Sequence, residues 1–339
     1  MSPLAGVRIV DFTLRLPGPL GTHLLAEAGA DVCKVEPPGG DPLNVATPLW
    51  PEAPAMYRAL NAHKRVVRCD LKSEAGRAEA AALVAGADVV VEGFRPGVMA
   101  RYGLDYETVR AKNPRVIYCS LTGYGQTGRR ARRAGHDLSY LAETGVLSLL
   151  ADVGGAPIVP GPLIADTAAG SYPVVINVAL ALVARERTGD GAYLDCSMSA
   201  NLEPFAWWAR SNGAASGRWP APHSDLFTGL SARYNVYPTK DGRHLAVAAI
   251  EPQFWTAFCD AIGLEGSARD EAADPPATRA AVAERVAAFD SAHWRHVFTE
   301  VDACCAVVDT VEEAYGGAGG RLPALQAPLA PALRRTGEG

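Results

Sequence analysis

No stretch of this 339-residue sequence holds the roughly 18 uninterrupted apolar residues of a membrane span, so a membrane protein is not expected. The N-terminal MSPLAGVRIVDF lacks the charged and apolar regions of a secretory leader, which predicts a cytoplasmic protein. Blocks of like charge are equally scarce. The longest is Arg129, Arg130, Arg132 and Arg133, in a chain of 32 basic and 37 acidic residues with a net charge of −5. Nucleic acid and membrane surfaces are therefore not expected partners, and a small molecule is. Seven cysteines (Cys33, Cys69, Cys119, Cys196, Cys259, Cys304, Cys305) form no CxxC pair and no Cys/His spacing suited to zinc. They read as buried free thiols, and no metal site is expected. A GxGxxG fingerprint is also missing: the first strand-to-helix turn reads LRLPGPLG, which removes the usual sign of NAD or FAD.

What is present is a hydrophobic content of 48%, enough for one large domain or two ordinary ones. The β-rich run Val7–Phe12 is followed by an apolar helical pattern opened by Pro17 and Pro19 and ended at Gly29, then by a second strand, Ala30–Glu36. The pattern recurs. A helix after Ser73 leads to the strand Ala87–Glu92, and a shorter one near Tyr106–Lys112 leads to Arg115–Leu121. Parallel strands with crossover helices follow, giving a Rossmann-like first half. Further on, the sequence predicts helices near Asp137–Thr144 and Thr167–Arg187, a strand AYLDCSM, and an aromatic helix PFAWWAR. Gly, Ser and Pro then concentrate in Asn212–Pro222, which reads as a linker. Beyond it come a hairpin, Ala232–Tyr237 with His244–Ala249, and helices near Gln253–Ile262, Pro276–Phe289 and Ser291–Val301. The expected fold class is α/β. Residues 1–200, rejoined by about 310–339, form a large Rossmann-like domain, and 212–305 a smaller α+β domain. The Pro-rich end, PALQAPLAPALRRTGEG, is expected to wrap a surface.

Several blocks in order, from LAGVRIVDF through LPGPLGTHLLAEAGADVCKVEPPGGDP, RVVRCDLKSEAGR, ADVVVEGFRPGVMARYGLDYE, NPRVIYCSLTGYGQTG and ADTAAGSY to ARERTGDGAYLDCSM, resemble the family III CoA-transferase (CaiB/BaiF) superfamily. AGHDLSYLAETGVLSLL and AIEPQF are most similar to its α-methylacyl-CoA racemase branch. The resemblance implies an interlocked homodimer, an acyl-CoA substrate and no cofactor beyond the coenzyme A that the substrate carries. It implies His136 and Asp166 as the catalytic pair, with Glu251 supporting the histidine. For CoA it implies Asp70, Leu71, Lys72, Gly93, Phe94, Arg95 and Arg101, with Gly135 and Tyr140 beside His136; Lys34 and Arg65 are further candidates.

The chemistry agrees with those residue types. Inverting a carbon next to a thioester takes one base and one acid on opposite faces, roles that an imidazole and a carboxyl can exchange. A carboxylate such as Glu251 on the far ring nitrogen would fix the tautomer. Negative charge then grows on the thioester oxygen, and the Asp137 amide, opening a predicted helix, is the candidate donor. A transferase would instead use Asp166 as nucleophile, and a CoA-ester-binding protein would use neither. Pro162 stands where racemases commonly carry asparagine, and Pro37 where they commonly carry arginine.

Overall fold

The computed structural model describes residues 2–316, 325 and 327–335. Its strands are β1 (Arg8–Asp11), β2 (Asp31–Glu36), β3 (Lys64–Arg68), β4 (Val89–Glu92), β5 (Ile117–Thr122), β6 (Ala192–Ser197), β7 (Tyr234–Pro238), β8 (His244–Ala248) and β9 (Cys305–Val307). The chain divides into two compact units. One comprises Met1–Val146, Val159–Trp207 and the described part of Ala324–Gly339; the other comprises Leu147–Ile158 and Trp208–Pro323.

In the larger unit, β1, β2, β4 and β5 are short runs rich in Val, Ile and Cys, and Val89, Val90 and Val91 of β4 are fully buried. Such continuous apolar strands suit a sheet covered on both faces. The six strands are all parallel, in the order β3-β2-β1-β4-β5-β6. The chain moves outward from β1 through β2 to β3, then returns to β4 on the other side of β1. That reversal opens a crevice beyond the carboxyl ends of β1 and β4, where open α/β sheets bind ligands. Pro17 opens the helix Pro17–Glu27, and the Ser73 hydroxyl caps Glu74–Ala85 by accepting the Gly76 N–H. Strand β3 and the helix Ala53–Asn61 carry no clear sequence signal. In β3, Lys64, Arg65 and Arg68 interrupt the apolar run, as suits an edge strand.

The predicted helix Thr167–Arg187 is the core of a longer one, Ile164–Thr188, whose backbone widens into π-type turns over Thr167–Ser171. Its length and hydropathy would suffice to cross a bilayer; here Val174, Val178, Ala181 and Leu182 are buried in the unit.

The smaller unit holds the antiparallel sheet β7-β8-β9 over a core that includes Phe258, Val282, Val286 and Trp294. The expected linker is corrected at its start. A helix runs through it as far as Ser216, because Trp219 folds back onto Gly213, where a Cβ would come within 2.4 Å of the indole. Leu147–Ile158 joins this unit, tied by the His223 ring Nε2, 2.8 Å from the Asp152 carbonyl. The thiols also divide: five cysteines are buried and all seven are free, but Cys304 is exposed in a left-handed turn before β9. Of the Pro-rich end, Ala327 and Leu329 pack against Leu20, Leu24 and Leu60; residues 323, 324, 326 and 336–339 lie outside the described part.

Candidate active site

The site begins with a carboxylate that the end of β1 buries. Asp11 is fully buried and accepts hydrogen bonds from the Thr13 N–H (2.8 Å), the Thr13 and Thr22 hydroxyls and the Lys64 ammonium (3.4 Å). Burial raises its carboxyl, but Lys64, Lys34 and the two hydroxyls outweigh this and hold it below its ordinary value. Lys34, equally buried, donates to the Thr13 carbonyl (2.6 Å) and pairs with Asp41 at 3.1 Å. Asp41 in turn accepts the N–H groups of Arg15 and Leu43. Two buried ion pairs thus shape the turn Thr13–Gly18. Lys34 is spent on this framework and cannot reach a phosphate, which corrects its candidacy as a CoA contact. Arg65 lies exposed on the edge strand.

Above the turn lies a cavity of about 420 Å³ at the carboxyl ends of β1, β4 and β5. Its walls are Phe12–Arg15, Gly93–Pro96 and Leu121–Gly123, closed by Arg133–His136, Tyr140 and Met198. A second cavity of about 180 Å³ shares the walls Phe12, Leu14 and Phe94 and is completed by Val35, Pro37, Asp70, Leu71, Lys72 and Tyr102. It is a narrow, largely apolar slot with two carboxylates, Glu36 and Asp70, and one ammonium, Lys72, among its lining groups. Of the residues implied for CoA, Asp70, Leu71 and Lys72 line the slot, Gly93, Arg95, Gly135 and Tyr140 line the larger cavity, and Phe94 lines both. Arg101 closes the helix Val98–Arg101 and lies exposed, outside both linings. Of the arginine cluster, Arg130 and Arg133 pair with Glu143, and Arg133 also borders the larger cavity.

Tyr140 is wedged between two glycines. A Cβ at Gly123 would lie 2.4 Å from its hydroxyl, and one at Gly135 would lie 2.4 Å from its ring. Gly135→Ala is therefore expected to displace the ring and lower unfolding stability by about 1–3 kcal/mol, measured by urea titration.

His136 stands at the mouth of the helix Asp137–Glu143, its N–H donating to the Ser139 hydroxyl at 2.9 Å and its ring exposed to the cavity. Asp137 is buried, and its carboxylate accepts the Asp166 N–H at 2.9 Å, tying the two segments together. Asp166 lies in the first turn of the long helix, just before the π-type turns, a widening frequent at functional sites. Burial pushes its carboxyl up to about 6, the Asp137 carboxylate adds to the rise, and the His136 ring opposes it. His136, Asp137 and Asp166 thus form one electrostatic group. Glu251 precedes the helix Pro252–Ala261 of the smaller unit; it is exposed, and its side chain makes no capping hydrogen bond to that helix. Pro162 is exposed in the segment leading to Asp166.

Residues of the site that escaped the sequence reading include Asp11, Thr13, Arg15, Lys64 and Glu92. One signal was available, since an acidic residue ending an apolar strand, as Asp11 and Glu92 do, needs a buried partner. Glu92 is buried and accepts the Phe94 N–H at 2.8 Å, fixing the wall shared by the two cavities. Burial raises its carboxyl to about 7. The folded chain then keeps a proton that the unfolded chain releases above about pH 4.5, so this group lowers stability as pH rises from about 4.5 to 7. Glu92→Gln is expected to remove that slope, and relative to wild type to gain about 3 kcal/mol between pH 4 and 8 in denaturant titrations.

The model for CoA-transferase family III matches residues 4–319, so the chain belongs to that family. It is 36% identical over 318 residues to α-methylacyl-CoA racemase of Mus musculus, covering 92% of this chain and 79% of that protein. It is also 36% identical over 277 residues to succinate–glutarate CoA-transferase of Agrobacterium fabrum, covering 79% of this chain and 68% of that one. Among solved structures, a CaiB/BaiF family protein from Brucella suis superposes with a TM-score of 0.78 at 30% identity, over 93% of this chain and 86% of that one. Family membership implies an enzyme acting on acyl-CoA.

Proposed function

We propose that the chain is an acyl-CoA racemase or epimerase of the α-methylacyl type, inverting the carbon α to a CoA thioester. The observation that carries this reading is the place of His136: it lines the larger cavity and lies in electrostatic reach of the Asp166 carboxyl. One of the two removes the α-proton to leave an enolate, and the other returns a proton to the opposite face. A carboxyl with a half-point near 6 gives up and accepts a proton readily near neutral pH. In this reading the enolate oxygen would be received by the Asp137 N–H, which has no acceptor among the described residues.

In this reading the slot between Leu71 and Phe94 takes the adenine, with Lys72 and Arg95 toward the phosphates. No cofactor beyond the substrate's own CoA is assigned. An interlocked homodimer, with Glu251 supporting the histidine, belongs to the same proposal. The exposed stripe Ile176, Leu180 and Val183 on the long helix is apolar surface that such a dimer would cover.

A second reading is favoured by the equal identity to the Agrobacterium transferase. Here the Asp166 carboxylate attacks the thioester carbonyl and expels CoA as thiolate, leaving an acyl-aspartyl anhydride. The thiolate then attacks the aspartyl carbonyl, releasing the free acid and leaving an aspartyl-CoA thioester for the next acid to accept. Incubation with branched acyl-CoA esters in D2O separates the readings. Deuterium at the α-carbon supports the racemase; CoA transfer to a free acid without exchange sinks it. Tight CoA binding with neither reaction would leave a CoA-ester-binding protein.

A further inference from the structure

The larger cavity is lined by four groups able to carry positive charge, Arg15, Arg95, Arg133 and His136, and by no aspartate or glutamate. Arg133 is already paired with Glu143 at 2.8 Å. Arg95 is assigned to the CoA phosphates, and His136 to the proton transfer. Arg15 is left over, and its guanidinium has no hydrogen bond or ion pair among the described residues.

Its placement is not that of an ordinary surface arginine. The backbone at Arg15 is left-handed, with φ +68°, a conformation that side-chain-bearing residues adopt rarely and that persists where surroundings impose it. The surroundings here are named: both Asp41 carboxylate oxygens accept the Arg15 N–H, at 3.1 and 3.2 Å, and Asp41 is itself locked by the buried ammonium of Lys34. Two buried charges therefore set the loop that puts this cation on the wall His136 shares. Arg15 does not border the slot that holds Lys72. Arg95 does not border it either, so the division is that of the proposed reading: Arg95 toward the phosphates, and Arg15, on the wall shared with His136, toward the acyl part of the thioester.

We infer that Arg15 recognises a carboxylate carried by the acyl part of the substrate, so that the substrates are CoA esters ending in a second acid group. A guanidinium meets a carboxylate with two parallel hydrogen bonds, which gives selectivity as well as affinity. The inference rests on the larger cavity being the acyl-CoA site, and it holds whether the chemistry is racemisation or transfer.

Binding of two inert CoA thioethers of equal length, one ending in carboxylate and one in methyl, tests it by calorimetry. The wild type is expected to prefer the carboxylate form by ~10-fold to 100-fold. Arg15→Asn, chosen because asparagine tolerates the left-handed backbone, is expected to abolish the preference and leave the methyl form within about threefold. Equal affinity of the wild type for both compounds overturns the inference without any variant. So does a variant that weakens both compounds alike, or one whose defect disappears when the 3′-phosphate is removed from the CoA, since the anion would then be that phosphate. If neither thioether binds the wild type, the acyl-CoA reading itself falls, and this inference with it.

Discussion

Asparagine in place of His136 is expected to cut α-deuterium incorporation into a branched acyl-CoA by about 10²- to 10⁴-fold, the usual contribution of a positioned acid or base. On the proposed reading its effect on KM should be small, because the imidazole would work on the reacting carbon and the slot at Asp70–Lys72 would hold the nucleotide end. Asp166→Asn should lower exchange by a comparable factor, since either half of the pair is required in each direction. The wild-type rate in the direction that uses Asp166 as base should rise with pH through about 6. That half-point follows from the burial and the Asp137 charge that raise this carboxyl. The two variants also divide the two chemistries. A transferase would lose its nucleophile with Asp166 and keep CoA transfer when His136 is replaced, so retention of transfer in the His136 variant would reassign the enzyme.

Lys64→Met is expected to lower unfolding stability by about 3–5 kcal/mol, the cost of leaving a buried charge without its partner. Lys64 and Asp11 have fully buried side chains, and Lys64 also donates to the Pro19 carbonyl, the Thr22 hydroxyl and the Asn61 side-chain oxygen. Burial has already driven its ammonium down to about 8, so the ion is held against a large desolvation cost. The double variant with Asp11→Asn should recover part of the loss, because no uncompensated carboxylate remains. Urea unfolding at pH 7 measures both. Single and double variants of equal stability would mean that the pair is not coupled. Substrate affinity should fall with stability, since Asp11 anchors Thr13 at the foot of the cavity.

Most of the larger unit was legible in the sequence, for a local reason. The runs at β1, β2, β4 and β5 are apolar because both faces of a parallel sheet are covered, and the intervening helices announce themselves by Pro17 and Ser73. Strand β3 was hidden because an edge strand tolerates charge, and the helical start of Asn212–Pro222 was hidden because Trp219 packs on a glycine that composition reads as linker. His136 and Asp166 could be named only from the blocks that contain them.

What the sequence by itself determined is therefore the alternation of strands and helices, the parallel sheet it entails and the absence of a dinucleotide loop. All of these depend on neighbours within one or two turns of chain. What only the tertiary structure decided is the charge of the site. Lys34 is sealed beneath the first turn, Arg15 is turned into the cavity above it, and Arg101 is left outside. Asp166 owes its raised carboxyl first to burial and then to the charge of Asp137, 29 residues earlier. Burial and Coulombic contact belong to the assembled surroundings of a group, and those surroundings form only when distant segments pack.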